Sequence, residues 1–245
     1  MAKSVINNEL YHDLGDEWYK ASDHPIALLR KEATFKTHWI LDQLREFSPA
    51  STRVLDIGCG AGFISNAMAE KKWQVCGIDL SESSLEVAKK FDRSRQVQYL
   101  KGDAHALPFE DSLFDIVMCL DVLEHVSDPA KAIKEAARVL KPSGIFFFHT
   151  MNRNLISYFV ALKGVEWFVK NTPRHLHVYS MFIKPKELEE MCQRAGMKAT
   201  QWTGLRPRLN GGFFRLLRTG VIDADFEFVA TPSRAISYMG IASKR

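Results

Sequence analysis

The 245-residue chain contains no run of about 18 apolar residues, the length a helix needs to span a bilayer. Its start, Met1-Ala2-Lys3-Ser4-Val5, lacks the apolar core of a secretory signal. Its four cysteines (Cys59, Cys76, Cys119 and Cys192) show no metal-like pairing and fall mostly in apolar contexts. That usage fits free thiols in a reducing compartment, and a cytoplasmic protein is expected. Excess charge is also scarce, with 33 Lys and Arg against 29 Asp and Glu. A dedicated nucleic-acid binder carries a denser basic face, so no nucleic-acid partner is expected. Internal repeats and low-complexity tracts are absent, which leaves one large globular domain of residues 1–245 as the expected organisation.

What is present is concentrated in residues 54–62, Val-Leu-Asp-Ile-Gly-Cys-Gly-Ala-Gly. Val54, Leu55 and Ile57 suit a buried parallel strand, and Gly58, Gly60 and Gly62 permit a sharp turn that approaches a ligand closely. A dinucleotide fingerprint requires glycine at its first, third and sixth positions, and the sixth position here is Phe63. Glycine at every second position after Asp56 instead resembles motif I of the class I S-adenosylmethionine-dependent methyltransferases. Asp79 ends the next apolar segment, where an acid accepts hydrogen bonds from ribose hydroxyls in nucleotide-binding α/β folds. Asp103 follows a third short strand and resembles that family's acid beside the adenine amino group.

From Arg53 the pattern alternates between strands, near 53–57, 74–79, 97–100, 114–119 and 144–149, and helices, near 62–71, 82–91 and 128–139. Such alternation predicts an α/β fold with a mostly parallel Rossmann-like sheet. A last helix near 186–195 and closing strands near 197–203 and 235–242 bring the expected sheet to seven strands. An N-terminal helical cap occupies about 1–50: an amphipathic helix in 5–20 carrying Leu10, Tyr11, Leu14, Trp18 and Tyr19, then a helix from Pro25 to Phe47. A helical insert over about 153–180 follows the fifth strand. Its abundance of Trp, Phe and Tyr suits either a membrane surface, a cover over an apolar channel, or a helix packed on the sheet.

The turn after the fourth strand, Leu120-Asp121-Val122-Leu123-Glu124-His125, should line the cleft, since ligands of open α/β sheets bind beyond the strands' carboxyl ends. If helical, it places Asp121, Glu124 and His125 on one face, a set able to hold Mg²⁺. His125 acting alone as a general base is the alternative, as is a purely structural role for Glu124 and His125 in capping the loop.

Several further pieces resemble the ubiquinone biosynthesis O-methyltransferase family: Leu123-Glu124-His125-Val126-x-Asp128-Pro129, Asn152-Arg153-Asn154, Phe182-Ile183-Lys184-Pro185 and Thr203-Gly204-Leu205. The resemblance runs from about Trp18 to the C-terminus. It implies S-adenosylmethionine-dependent methylation of a catechol-type hydroxyl on a polyprenylated ring, and Glu124 and His125 are the expected catalytic residues. It implies peripheral contact with the cytoplasmic face of a membrane through the insert, and association with other quinone-pathway proteins. It assigns the cofactor to Lys36, Asp56, Gly58, Gly60, Asp79, Asp103 and Leu120, with Lys36 standing where the family has arginine and Leu120 where it has methionine. It also assigns a metal to Asp121, Glu124 and His125, Asp121 replacing a glutamate. His177 matches a family position within the insert. The basic stretch Arg206–Arg218 suits anionic lipid or a solvated face. The signals of nucleic-acid methylases, Asn-Pro-Pro-Tyr/Phe and a Pro-Cys nucleophile, are missing. A methyltransferase of another small acceptor and a non-catalytic cofactor-binding module remain the alternatives.

Overall fold

The computed structural model describes residues 11, 13–173 and 175–244. Most of the expected 5–20 helix lies outside them, Leu10 included. Within them the chain forms only a short α1 (Glu17–Lys20) before α2 (Ile26–Gln43). The α/β unit then runs β1 (Arg53–Ile57), α3 (Phe63–Glu70), β2 (Gln74–Asp79), α4 (Glu82–Phe91), β3 (Gln98–Lys101), β4 (Phe114–Leu120), α5 (Pro129–Val139) and β5 (Leu140–Met151). The insert contributes α6 (Leu155–Ser157) and α7 (Gly164–Phe168). The C-terminal part comprises α8 (Pro185–Arg194), β6 (Met197–Pro207), α9 (Gly211–Thr219), β7 (Phe228–Thr231) and β8 (Ser237–Lys244).

The strands form one sheet in the order β3-β2-β1-β4-β5-β8-β6-β7. The first five are parallel, and β8, β6 and β7 join antiparallel. The chain leaves β1 toward β2 on one side and returns through β4 on the other. That reversal opens a crevice beyond the carboxyl ends of β1 and β4, where a ligand can lie against backbone. Burial on both faces explains the continuous apolar runs of the central strands. On β5 the alternation sends Phe146 and Phe148 into one core layer and Phe147 into the other. Helix starts are set by local chemistry. Ser81 caps α4 through the Ser84 amide, and Asp128 caps α5 through the Lys131 amide with Pro129 in the first turn.

The sheet has eight strands rather than the expected seven. The extra one, β7, pairs among the described residues only with β6, at the sheet's edge. Its four residues are too few to display an alternating pattern. The second expected helix ends at Gln43, short of Phe47, where Leu44 adopts a non-helical conformation. Among the described residues, no helix is long and apolar enough to cross a membrane.

Candidate active site

The loop after β1 makes its turn through three left-handed glycines, Gly58 (φ +67°), Gly60 (+52°) and Gly62 (+75°). A Cβ on Gly58 would lie 2.3 Å from Val122 Cγ2, so only glycine lets this loop pass against the turn that follows β4. Asp79, at the end of β2, accepts hydrogen bonds from the Gly60 amide and the Ser81 amide, each at 2.8 Å. Asp56 accepts from Ser65 Oγ at 2.6 Å, and burial pushes its carboxyl up to about 7. Asp103 accepts from the His105 amide and pairs with its ring, contacts that hold its carboxyl below the usual range. Asp56, Gly58, Gly60, Asp79, Asp103 and Leu120 line one end of a cavity of about 1240 Å³.

Lys36 does not join them. Its side chain is wholly enclosed and absent from the cavity wall. The ammonium donates instead to Glu32 Oε2 at 2.8 Å and to Asp121 Oδ1 and Oδ2 at 2.7 and 2.5 Å. His149 pairs with the same Asp121 through Nδ1. Burial opposes ionisation of Asp121, but Lys36 and His149 outweigh it and hold the carboxyl far below its usual range.

The segment after β4 is a turn, not the helix that would align Asp121, Glu124 and His125. Asp121 sits at φ +60°, and the His125 amide bonds back to Val122 O at 2.8 Å. With the turn's geometry, and with both Asp121 oxygens engaged by Lys36, the expected three-ligand set is not assembled. Among the described residues, the carboxylates and imidazole whose ligand atoms lie within 4.8 Å of one another belong to Glu32, Asp121 and His149. Its two carboxylates already hold the Lys36 ammonium, so the residues as arranged do not fit a divalent ion.

Glu124 and His125 both line the cavity. Glu124 is 1% exposed; its Oε2 accepts from Thr150 Oγ1 at 2.8 Å, and its Oε1 has no protein partner among the described residues. Burial, reinforced by the Asp121 charge, pushes its carboxyl up to about 7. Burial pushes the His125 imidazole down to about 3, with His177 adding to the effect, so it is neutral at physiological pH. The two rings lie 5.6 Å apart.

Glu32, His149 and Thr150 belong to this site and are absent from the sequence expectations. Sequence signals point to the first two. Glu32 stands four residues before Lys36 on one helix face. His149 aligns with Leu120 in the β4–β5 register, a polar residue at the carboxyl end of an apolar strand.

The other end of the cavity is apolar, walled by residues that include Leu28, Met151, Val165, Leu216 and Phe226. A π-helical stretch, Tyr158–Lys163, joins α6 to α7, and α7 packs beside α9. Phe159, Val160, Phe168 and Leu217 both line the cavity and are exposed, so its apolar end opens there. Leu155 (70%), Trp167 (64%), Leu209 (64%) and Phe214 (60%) are also exposed, Trp167 and Phe214 each next in sequence to a lining residue, Phe168 and Phe213.

Residues 55–148 match the family described as a methyltransferase domain. The chain is 42% identical to the ubiquinone biosynthesis O-methyltransferase of Aromatoleum aromaticum over 80% of its own length and 83% of that protein. It is 43% identical to the enzyme of the same name from Thiobacillus denitrificans, over 64% of this chain and 68% of that one. Among solved structures it resembles a SAM-dependent methyltransferase, a possible histamine N-methyltransferase, from Thermotoga maritima. That pair has a TM-score of 0.62 and 21% identity, covering 97% of this chain and 99% of the other. At that identity the likeness concerns the fold. Identity above 40% over most of both chains carries more, and by it the chain belongs to the ubiquinone biosynthesis O-methyltransferase family.

Proposed function

We propose that this protein transfers the methyl group of S-adenosylmethionine to a catechol-type hydroxyl on a polyprenylated ring, a step of ubiquinone biosynthesis. One observation carries the reading. A single cavity joins the Asp79–Asp103 end, suited to a nucleoside, to an apolar channel, with Glu124 and His125 lining it. A nucleoside-bearing methyl donor and a long isoprenoid acceptor are ligands of those two chemistries.

The cofactor supplies an electrophilic methyl on a sulfonium. Gly58 and Gly60 leave room for its amino-acid part, Asp79 accepts from the ribose hydroxyls, and Asp103 and Leu120 frame the adenine. In the transfer the acceptor oxygen forms a bond to the methyl carbon while the carbon–sulfur bond breaks. The sulfonium charge is neutralised, so the leaving group needs no acid. The protein must align the acceptor and take its proton. A phenol ionises near 10, and a carboxylate with a pKa of about 7 is a usable base at neutral pH. Glu124 Oε1 takes that proton in this scheme, and Thr150 fixes the carboxylate's orientation. His125, a neutral imidazole, orients the hydroxyl.

The isoprenoid tail lies along the apolar channel. The exposed Leu155, Trp167 and Phe214 rest at a membrane surface, so the tail passes between bilayer and channel without crossing water. The reading is tested by incubating the protein with labelled S-adenosylmethionine and a short-chain prenylated catechol. Labelled methoxyphenol product is expected. Folded protein that binds the cofactor but methylates no prenylated catechol would overturn the acceptor assignment.

A further inference from the structure

Lys36 has an ammonium with three protons and no contact with the cavity, and three carboxylate oxygens receive it: Asp121 Oδ1, Asp121 Oδ2 and Glu32 Oε2. An ammonium has three donors and no acceptor, so its hydrogen-bonding capacity is filled. His149 pairs in turn with Asp121 through Nδ1. Glu32, Asp121 and His149 come from α2, the turn after β4 and β5, and their ligand atoms approach within 4.8 Å of one another. Two carboxylates and an imidazole are a donor set for Mn²⁺, Co²⁺ or Mg²⁺. Here the positive charge held by the two carboxylates, one of which also pairs with His149, is a lysine nitrogen instead.

We propose that Lys36 is the resident cation of this site: its tethered ammonium occupies a divalent-ion position formed by Glu32, Asp121 and His149, and thereby makes the chain independent of metal. The consequence for methyl transfer rests on the function proposed above; the occupancy of the site does not. A divalent ion sits 2.0–2.2 Å from its oxygens by ordinary coordination lengths, roughly, and the ammonium is already 2.5–2.8 Å from all three. The two cannot share the space. Lys36 also acts as a positioning residue, because Asp121 sits in the left-handed region (φ +60°) at the head of the turn that carries Glu124 and His125. Neutralising and tethering that carboxylate to α2 fixes where the turn begins. Removing the ammonium leaves two carboxylates facing one another across the space of a side chain, a geometry that a divalent ion relieves.

The test uses the full chain and cobalt. Wild-type protein and Lys36→Ala are titrated with Co²⁺ and followed by visible absorption, with Mn²⁺ electron paramagnetic resonance as a second probe. Wild type is expected to show no saturable uptake. Lys36→Ala is expected to take up one ion per chain, and the added His149→Gln change is expected to abolish that uptake. If Lys36→Ala is recovered folded only when refolded with Co²⁺, the proposal is supported. Saturable uptake by the wild type that is lost on Asp121→Asn would overturn it. So would Lys36→Ala protein that takes up no ion, whether it folds without metal or fails to fold with and without Co²⁺. None of these readouts involves methyl transfer, so failure of the proposed reaction leaves them unaffected.

Discussion

The Gly60 amide donates to Asp79 Oδ2 at 2.8 Å, which fastens the tip of the loop after β1 to the end of β2. Asp79 therefore shapes the cradle as well as presenting an acceptor to the ligand. Charge-assisted hydrogen bonds contribute about 1.5–3 kcal/mol each. Asp79→Ala is expected to weaken S-adenosylmethionine binding by roughly 10- to 150-fold. Calorimetry on the folded variant checks this, and unchanged affinity would remove Asp79 from the site.

Gly62 illustrates the steric demand of the same loop. It caps α3 at φ +75°, and a Cβ there would meet Tyr99 Oη at 2.2 Å and Ala88 Cβ at 2.9 Å. Tyr99 cannot simply swing away, because its hydroxyl donates to Asn66 Oδ1 at 2.7 Å inside the core. Left-handed backbone costs an alanine about 1–2 kcal/mol, and overpacking adds about 1–3. Gly62→Ala should lose roughly 2–5 kcal/mol of stability in denaturant unfolding. A loss below 1 kcal/mol would mean that the loop has a second conformation to move into.

The proton acceptor can be identified by pH. Glu124 titrates near 7, and its protonated form cannot accept a proton. Turnover should therefore be low below that pH and rise through it. His125 titrates near 3 and is already neutral across the whole assay range, so it adds no inflection between pH 5 and 9. The acid limb should vanish in Glu124→Gln along with most of the rate, a loss of about 10²–10⁴-fold. It should persist in His125→Ala. A limb near 7 that disappears in His125→Ala and survives in Glu124→Gln would reverse the two roles.

The cradle was legible in the sequence because its determinants are local. Asp56, Gly58, Gly60 and Asp79 sit within 24 positions, at strand ends whose apolar runs announce them. The Lys36–Asp121 contact spans 85 residues, and nothing local at either position encodes it. Reading Asp121 as one of three helical neighbours assumed a helical period that the segment lacks, since Asp121 takes a left-handed φ. The edge strand β7 went unread for a different reason. It derives its conformation from pairing with β6, not from its own pattern. The π-helical turn at Tyr158–Lys163 lies in a stretch whose composition fits both a membrane face and a packed helix, and it leaves Phe159 and Val160 exposed.

That exposure gives the proposed membrane contact a quantitative form. Arg208 pairs with Glu227, and Arg215 with Asp223 and Asp225, so the basic stretch is partly neutralised by its own neighbours. A basic residue near anionic lipid contributes about 1 kcal/mol and is screened by salt. A buried aromatic side chain contributes about 1.5–3 kcal/mol and is not. Trp167 and Phe214 are 64% and 60% exposed, each next in sequence to a residue lining the cavity, so apolar insertion should dominate over charge. Co-sedimentation with anionic vesicles is expected to survive 0.5 M salt largely intact, by about the margin between those two magnitudes. Replacing Trp167 and Phe214 with serine should reduce it by at least roughly tenfold. Binding that collapses in salt and ignores the serine changes would assign the contact to the arginines instead. Unaltered pelleting in every condition would place it on another face of the protein.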